Sequence, residues 1–436
     1  MKRIIARVLI VLTAVFTLVS GCQCGHDDPE KYGYDQVLFL YAGGFNSLSR
    51  AIRQNIREIE QGYIPKKKDD RALLVVSHLT DSLKGYEFAT KISLDRIYLN
   101  GKKEVVHETI NDTYGGNLSD PETMKAILSD IKRLFPSKHY GMIVSSHATG
   151  WLPYGYYSIP AQFESTSGKS GSARRAAARE EEPEGLPEAP LTKTITNTFP
   201  EIEYKKTGNY YPTAEMEITD FKDAIPMHLD YLLFDACLMG CIEVAYELKD
   251  KCDLIGFSPA EILAEGFNYY TLTGHLLGNP TPDVRAVVDD YFQKIANKSD
   301  KTLRAATITL ADCSKLDGLA AECRTLFEKY SSQIEEVDPY DVQRFWRSNK
   351  HWFYDLEDIL VKAGMSEEDH NRLKTALDRC IIYKAATDGF LKGYSGGGYT
   401  ISTYCGFSMY LPNYGSTYLD DFYKGFAWNK ATGLVD

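Results

Sequence analysis

Short apolar runs alternate with amphipathic stretches from about residue 35 onward, and this alternation restricts the possible folds more than any other feature. Each run has the length and the nearly continuous apolar character of a buried strand, and helical spacing of apolar residues fills several of the intervals. The predicted strands cover residues 36–42, 72–78, 140–146, 231–234, 253–257 and 306–310. Because such strands need cover on both faces, the pattern predicts an α/β fold with a mostly parallel central sheet flanked by helices.

The remainder of the chain divides around this core, which we place at residues 35–280. Residues 1–21 have the features of a lipoprotein signal peptide, and residues 22–34 are polar like a tether. We predict an exposed loop at about 155–215, because its middle is rich in Gly, Ser, Ala, Glu and Pro. Residues 281–436 are predicted to form a largely helical C-terminal extension that ends in a short β region. Its predicted helices are 283–296, 316–332, 342–363 and 367–387.

The N-terminal segment resembles a bacterial export signal. Positive residues precede an apolar run at 8–19, which is short for a membrane span. Small residues then precede Cys22, as in a lipobox, so we expect cleavage before this cysteine and lipid on its thiol. An ordinary secretory signal or a short anchor is the alternative. The prediction is a protein that is exported and lipid-anchored to a bacterial membrane, at the outer membrane or the cell surface, with the bilayer as a partner.

Charge and cysteine spacing exclude other classes of function. The formal charge of -11 argues against a nucleic-acid partner, since such proteins usually present a basic face. The cysteines other than Cys22 have irregular spacings that match neither a zinc site nor a disulfide scaffold, and we expect most to be buried thiols. No loop has the regular spacing of calcium ligands, so a requirement for calcium stays an open question. The predicted chemistry requires no cofactor. The oligomeric state stays open too.

Candidate reactive residues follow three of the predicted strands. In a parallel sheet such groups collect at the carboxyl ends of the strands, and His78, His147 and Cys237 all lie there. Cys237 is predicted to open a helix near Leu238, whose dipole would stabilise the thiolate; the alternative is a buried packing cysteine. His147 could act as general acid and base or be a hydrogen-bonded structural histidine. His78 is a competitor by position alone.

Three segments around these residues resemble the clostripain family of cysteine peptidases. They are SSHATGWLP (145–153), LLFDACLMGCIEVAYEL (232–248) and GFSPAEILAEGFNYY (256–270). The resemblance implies a caspase-hemoglobinase-like fold, shared with gingipains, legumains and caspases. It also implies that His147 is the catalytic histidine and Cys237 the nucleophile. Protein or peptide substrates are the partners that follow from it.

The resemblance extends to residues that would bind the substrate. It implies that Asp235 holds a basic side chain before the scissile bond, although this carboxylate could also cap the following helix. Backbone N–H groups of Ala148 and Cys237 would form the oxyanion hole. The family usually has glycine at the position of Ala148, which puts efficiency in question. Glu261 and Glu265 could add negative charge, and each could equally be a solvated or structural acid.

The loop between the histidine and the cysteine suggests maturation by cleavage, which is common in the family. The basic residues in or beside its flexible stretch are Arg174, Arg175, Arg179 and Lys193. A merely tolerated insert is the alternative. We therefore predict a cysteine endopeptidase that cuts after Arg, or less often Lys. The competing hypothesis is a weakly active or inactive surface lipoprotein that uses the same fold for protein binding, and Ala148 is the feature that favours it.

Overall fold

A ten-stranded mixed sheet forms the centre of the molecule. The computed structural model describes residues 33–83, 86–157, 160, 163, 215–346, 352–393, 397–412 and 415–436. The strands are β1 (Tyr34–Gly44), β2 (Arg71–Leu83), β3 (Tyr86–Ala89), β4 (Ile92–Leu99), β5 (Val105–Tyr114), β6 (Ser137–Ser145), β7 (Leu229–Asp235), β8 (Cys252–Phe257), β9 (Thr307–Asp312), β10 (Tyr354–Asp355), β11 (Ile381–Ala386), β12 (Gly389–Phe390), β13 (Tyr399–Thr400) and β14 (Ser408–Met409).

Helices connect most of these strands. They are α1 (Ser49–Gln61), α2 (Pro121–Leu134), α3 (Ile218–Ala224), α4 (Ile242–Leu248), α5 (Tyr269–Leu277), α6 (Val284–Ala296), α7 (Leu316–Glu336), α8 (Leu356–Lys362), α9 (Glu367–Cys380), α10 (Thr417–Tyr423) and α11 (Ala427–Thr432). None of the helices within the described ranges combines the length and the apolar character that crossing a bilayer requires.

The strand order of the large sheet is β11-β9-β8-β7-β6-β1-β2-β4-β5, with β3 paired to β2. The strands from β8 to β2 along this order are mutually parallel, and those outside them pair antiparallel. The predicted fold class is therefore confirmed, with its parallel part at the centre. Strands β9 and β11, which come from the C-terminal extension, complete one side of the same sheet.

Burial explains why the central strands were recognisable. In β1, every residue from Gln36 to Gly44 is buried, so both faces of the strand are covered. Helix α2 shows how such cover is built. Asp120 caps it by accepting a hydrogen bond from the Thr123 amide, and Met124, Ile127, Leu128 and Ile131 are buried along its apolar face.

Three parts of the sequence prediction are wrong at the margins of the sheet. The antiparallel strands β3, β4 and β5 were not predicted. The helix predicted for 367–387 ends at Cys380, and residues 381–386 are strand β11. The helix predicted for 342–363 spans only Leu356–Lys362, because Asp355 caps it by accepting a bond from the Asp358 amide. The predicted short β region near the C-terminus is present as the small pairs β12–β13 and β10–β14.

Candidate active site

His147 and Cys237 follow neighbouring parallel strands. The register between β6 and β7 ends with Ser145 opposite Asp235. Each reactive residue lies two positions beyond this pair, so both emerge side by side at the carboxyl edge of the sheet. The sequence produces this placement because two nearly continuous apolar strands end at matching positions, and a parallel sheet gathers its loop residues at that edge.

The histidine is buried and bonded to a serine that the sequence analysis did not identify. His147 is 6% exposed, and its Nε2 atom lies 2.9 Å from the Oγ atom of Ser47. Ser47 belongs to the loop that follows β1, and β1 is the other neighbour of β6, with Ala42 opposite Ser145. Only the strand order brings these two loops together. Ser47 follows an apolar strand just as His147 does, and this is the one sequence signal that could have found it.

His78 is not positioned to work with Cys237. Strands β6 and β1 lie between its own strand, β2, and the cysteine-bearing β7. At the usual strand spacing this separates the two by roughly 14 Å. The His78 ring packs instead on Phe45, with 4.9 Å between ring centroids. Burial lowers the pKa of His78 to about 4, so the ring is neutral at physiological pH.

The cysteine is covered by the segment 258–262. Cys237 is 0% exposed, and its Sγ atom accepts a hydrogen bond from the Ile262 amide at 3.1 Å. Flanking bonds hold the two segments together: the Leu238 amide donates to Ala260 O at 3.0 Å, and the Gly240 amide donates to Ser258 O at 2.9 Å. Both the amide and the carbonyl of Ile262 thus contact the sulfur, and the segment closes the direct approach to it.

The predicted helix at Cys237 is wrong. Helix α4 begins at Ile242 with Cys241 as its N-cap, so Cys237 lies before it in an irregular turn. Leu238 has a φ of 61°, a left-handed conformation that a helix cannot contain. The helix dipole therefore does not act directly on the thiol. The alternative role of Asp235 as a helix cap is wrong for the same reason, because Asp235 is the last residue of β7.

Asp235 is the centre of a buried polar network. It is 0% exposed and accepts hydrogen bonds from the Ser145 hydroxyl at 3.1 Å and the Tyr269 hydroxyl at 2.6 Å. Burial, and then the nearby Asp235 charge, raise the pKa of Tyr269 well above its ordinary value. Gly266 packs directly on the carboxylate: a Cβ atom there would stand 2.2 Å from Asp235 Oδ2, and its φ is 58°. The segment 266–269 is therefore held against the end of β7.

The two predicted accessory acids lie on the stretch between these contacts. Glu261 is buried within the segment that covers Cys237. Glu265 is partly exposed, and its Oε1 atom lies 2.6 Å from the Nζ atom of Lys298. Lys294 donates to the carbonyl of Phe267 at 2.9 Å. Both acids thus lie on the same stretch as the residues that contact Cys237 and Asp235. Lys294 and Lys298 lie beside that stretch.

The loop after the histidine packs on the loop after the cysteine. Ala148 is buried. Gly150 has a φ of 63°, and a Cβ atom there would stand 2.6 Å from the carbonyl oxygen of Leu238. Only glycine fits this close approach. The loop that carries Ala148 and the loop that carries Cys237 therefore approach each other closely at Gly150 and Leu238.

The two ends of the intervening loop meet in the structure. The Tyr154 amide donates to Glu217 at 2.8 Å, and the Gly155 amide donates to Glu215 at 2.9 Å. Burial raises the pKa of Glu215 to about 7. The predicted lipidation and cleavage residues lie outside the described residues; they are Cys22, Arg174, Arg175, Arg179 and Lys193. Within the described part of the chain, no three His, Cys, Asp or Glu side chains are grouped to hold a metal ion.

Comparisons with known proteins identify the family of this chain. A model described as the clostripain family matches residues 40–164 and 208–432. The chain is 24% identical to the clostripain of Hathewaya histolytica over 252 residues, an aligned region that covers 53% of this chain. The chain spans about 40% of that relative's length.

Solved structures are similar over nearly the whole chain. An inactive zymogen protease from Parabacteroides distasonis is 26% identical, with a TM-score of 0.70 over 92% of this chain and 98% of that one. A secreted cysteine protease from Bacteroides thetaiotaomicron is 23% identical, with a TM-score of 0.68 over 92% of this chain and 99% of that one. At 23% identity, the similarity to the secreted protease shows a shared fold alone.

Proposed function

This chain belongs to the clostripain family of cysteine peptidases, and from that premise we propose that it is an endopeptidase that cuts after Arg, or less often Lys. Cys237 is the nucleophile and His147 the general acid and base. The observation that supports the proposal is the β6–β7 register, which ends with Ser145 opposite Asp235, each two residues before one of the proposed reactive residues.

The proposed reaction needs only these side chains and water. The Cys237 thiolate attacks the scissile carbonyl carbon, and backbone N–H groups of Ala148 and Cys237 stabilise the oxyanion. His147 gives its proton to the departing amine, which leaves an acyl-enzyme. His147 then takes a proton from water, and the resulting attack on the thioester carbonyl breaks the C–S bond, releases the second product and restores the Cys237 thiolate beside a protonated His147. No cofactor takes part in these steps, and a separate structural role for calcium is left open.

A preference for basic residues would come from the acids beside the nucleophile. Asp235 is supported as the main determinant because it is a fully buried acid two residues from Cys237, and a carboxylate in such a setting binds a guanidinium strongly. Glu265 would add charge after releasing Lys298. Glu261 is a further contributor on the same stretch. Because Asp235 is fully buried, the substrate cation requires the segment 258–269 to move.

We propose that cleavage in the loop between β6 and α3 provides this movement. The described chain has its nucleophile covered, and one similar solved protein is described as an inactive zymogen. Arg174, Arg175, Arg179 and Lys193 are the candidate cleavage positions. The carboxylates of Glu215 and Glu217 would keep the ends of the loop attached after cutting. Intact mass during incubation tests self-cleavage: a Cys237→Ala protein cut as fast as wild type would exclude it.

The proposed location follows from the N-terminal segment. We propose that the protein is exported and held to a bacterial membrane by lipid on Cys22, with peptides or proteins as its substrates. The description of one structural relative as secreted supports export. Metabolic labelling with a fatty-acid probe tests the anchor: label should be present in wild type and absent from Cys22→Ser.

Peptide hydrolysis tests the reaction and the specificity together. Fluorogenic peptides with Arg, Lys, Asp or Leu before the scissile bond are incubated with wild type and Cys237→Ala, before and after the loop is cut. A glutamate-specific protease can cut the loop, at Glu180 for example, without contributing activity after Arg. We expect cleavage after Arg and Lys that Cys237→Ala lacks. Cleavage after Asp or Leu alone would contradict the proposed pocket.

The second candidate function is a binding protein that has kept the fold without the activity. The complete burial of Cys237 and the presence of Ala148 favour it. The absence of hydrolysis of every peptide after loop cutting, and in the presence of calcium, would support this function, and Ala148→Gly would then be the first variant to test for recovered activity.

A further inference from the structure

The loop that follows β1 reaches the proposed catalytic histidine through a single hydroxyl group. Ser47 Oγ lies 2.9 Å from His147 Nε2, which is a normal hydrogen-bond distance. Ser47 itself is exposed, so its hydroxyl lies at the solvent side of a buried imidazole. An imidazole that exchanges protons needs one nitrogen to be oriented by a neighbour while the other faces the reaction.

The loop is built to hold Ser47 in place. Asn46 is buried, and its side chain makes two hydrogen bonds. Its Nδ2 atom donates to Gly43 O at 3.0 Å, and its Oδ1 atom accepts from the Leu48 backbone amide at 2.8 Å. These two bonds fix the backbone on both sides of Ser47. A serine held by its neighbours pays little further entropy to keep its hydroxyl aimed at the ring.

The loop is also tied to the strands on either side. Phe45 packs on the His78 ring of β2. The Ser146 hydroxyl, one residue before the histidine, donates to Gly43 O at 2.7 Å. The end of β6 and the start of the Ser47 loop are therefore bonded to each other directly, which favours a fixed distance from Ser47 to His147.

We propose that Ser47 is the positioning residue of His147, so that the working pair depends on a third side chain. This inference rests on the proposed peptidase function. The hydroxyl oxygen accepts the Nε2 proton, fixes the plane of the ring and assigns proton exchange with the thiol and the leaving amine to Nδ1. Because a hydrogen bond from a cation is stronger than one from a neutral donor, Ser47 also favours the imidazolium form.

Two variants at this position separate positioning from mere packing. Ser47→Ala removes the hydroxyl at an exposed site where the fold should persist, and Ser47→Thr keeps it. We expect Ser47→Ala to lower kcat by about tenfold with KM changed less than about twofold, because ring orientation matters most in the transition state. The alkaline limb of the kcat/KM profile should move down by about 0.5 pH unit, and Ser47→Thr should restore both values.

A titration that needs no catalysis tests the same contact. In the Cys237→Ala background, the His147 resonance of protein labelled at histidine is followed by NMR against pH. Ser47→Ala should lower the pKa of His147 by about 0.5 unit, since the loss of an acceptor destabilises the cation. The control is His139, an imidazole on β6 that pairs with Asp230 at 2.7 Å and whose resonance should not respond to Ser47→Ala.

The two experiments distinguish the possible failures. A Ser47→Ala protein with the wild-type kcat and an unchanged pKa of His147 would overturn the role of Ser47. So would a Ser47→Thr protein as impaired as Ser47→Ala. A wild-type protein that cuts no peptide would contradict the proposed function instead. The titration would still decide whether Ser47 stabilises the protonated form of His147.

Discussion

The two proposed reactive side chains occupy loops of opposite character. His147 lies beneath an exposed serine and is supported by loops from β1 and β6. Cys237 is fully buried, bonded to Ile262, and continuous with the network of Asp235 and Tyr269. The histidine side is thus arranged for proton transfer in the described state, whereas the cysteine side is closed. If the proposed maturation takes place, it would have to act on the cysteine side, and we expect the larger stability effects there.

The largest expected effect is that of Gly266→Ala, because the new Cβ atom would stand 2.2 Å from the Asp235 carboxylate at a φ of 58°. Backbone strain and overpacking together should lower the free energy of unfolding by about 4 kcal/mol. Gly364→Ala is the matched control. It has a φ of 80° but no atom within 4 Å of the new Cβ, so it should cost only about 1–2 kcal/mol. Urea unfolding measures both, and equal losses would contradict a tightly packed cysteine side.

The next effect is a pH dependence from Glu243, in the helix after the cysteine loop. Burial raises its pKa from 4.5 to about 7, while it accepts bonds from the Tyr410 amide and the Tyr423 hydroxyl. Between these pKa values the folded chain holds a proton that the unfolded chain has lost. Stability should therefore fall as pH rises from 4.5 to about 7, by about 3 kcal/mol in total.

Glu243→Gln isolates this contribution. The variant has no ionisation at this position, so its stability should change less with pH across the same window. The difference in unfolding free energy between wild type and variant, measured by urea at several pH values, gives the contribution directly. A difference that is constant with pH would show that Glu243 is ionised in the folded chain.

A smaller effect is expected from Tyr269→Phe, which removes the 2.6 Å bond to Asp235. Bonds to a charged acceptor contribute about 1.5–3 kcal/mol, so we expect a loss of about 2 kcal/mol. Tyr270→Phe, at a neighbouring tyrosine that is 56% exposed, should change stability by less than about 0.5 kcal/mol. If loosening this network opens the cysteine side, Tyr269→Phe should also raise the alkylation rate of Cys237. An unchanged alkylation rate would show that the bond between Asp235 and Tyr269 does not help to hold the segment 258–262 over Cys237.

The smallest effect is expected on the histidine side at His78. His78→Phe keeps an aromatic ring against Phe45 and should leave kcat/KM within about twofold of wild type. A loss as large as that caused by removing His147 would mean that His78 is the catalytic histidine, against the strand order. The assay is the hydrolysis of the best peptide found for the wild type.

The same contrast explains what could be predicted from the sequence. The parallel centre was predictable because strands such as β1 are buried on both faces and therefore apolar throughout. The edge strand β5 alternates exposed and partly buried residues and carries His107, Glu108 and Asp112, so its pattern resembles a polar loop. Strand β11 follows α9 directly, with no Gly or Pro at the junction, so no residue that usually stops a helix marks the change at Cys380.

The site was predictable to the extent that it follows strands. His147 and Cys237 come directly after two apolar runs, so the topology rule found them. Ser47 required knowledge that β1 neighbours β6, which depends on strand order and not on local sequence. The bond over Cys237 comes from a backbone amide 25 residues away along the chain, and backbone groups leave no signature in residue types.

Identification of the residue modified by a peptide electrophile tests the central claim most directly. A peptide ending in Arg and carrying a thiol-reactive group is incubated with the protein after the loop has been cut, and the modified residue is located by mass spectrometry. The account predicts label on Cys237, prevented by His147→Ala and absent from the other cysteines within the described residues, which are buried free thiols. Label spread over several cysteines, or label on Cys237 that persists at the same rate in His147→Ala, would contradict a His147–Cys237 peptidase.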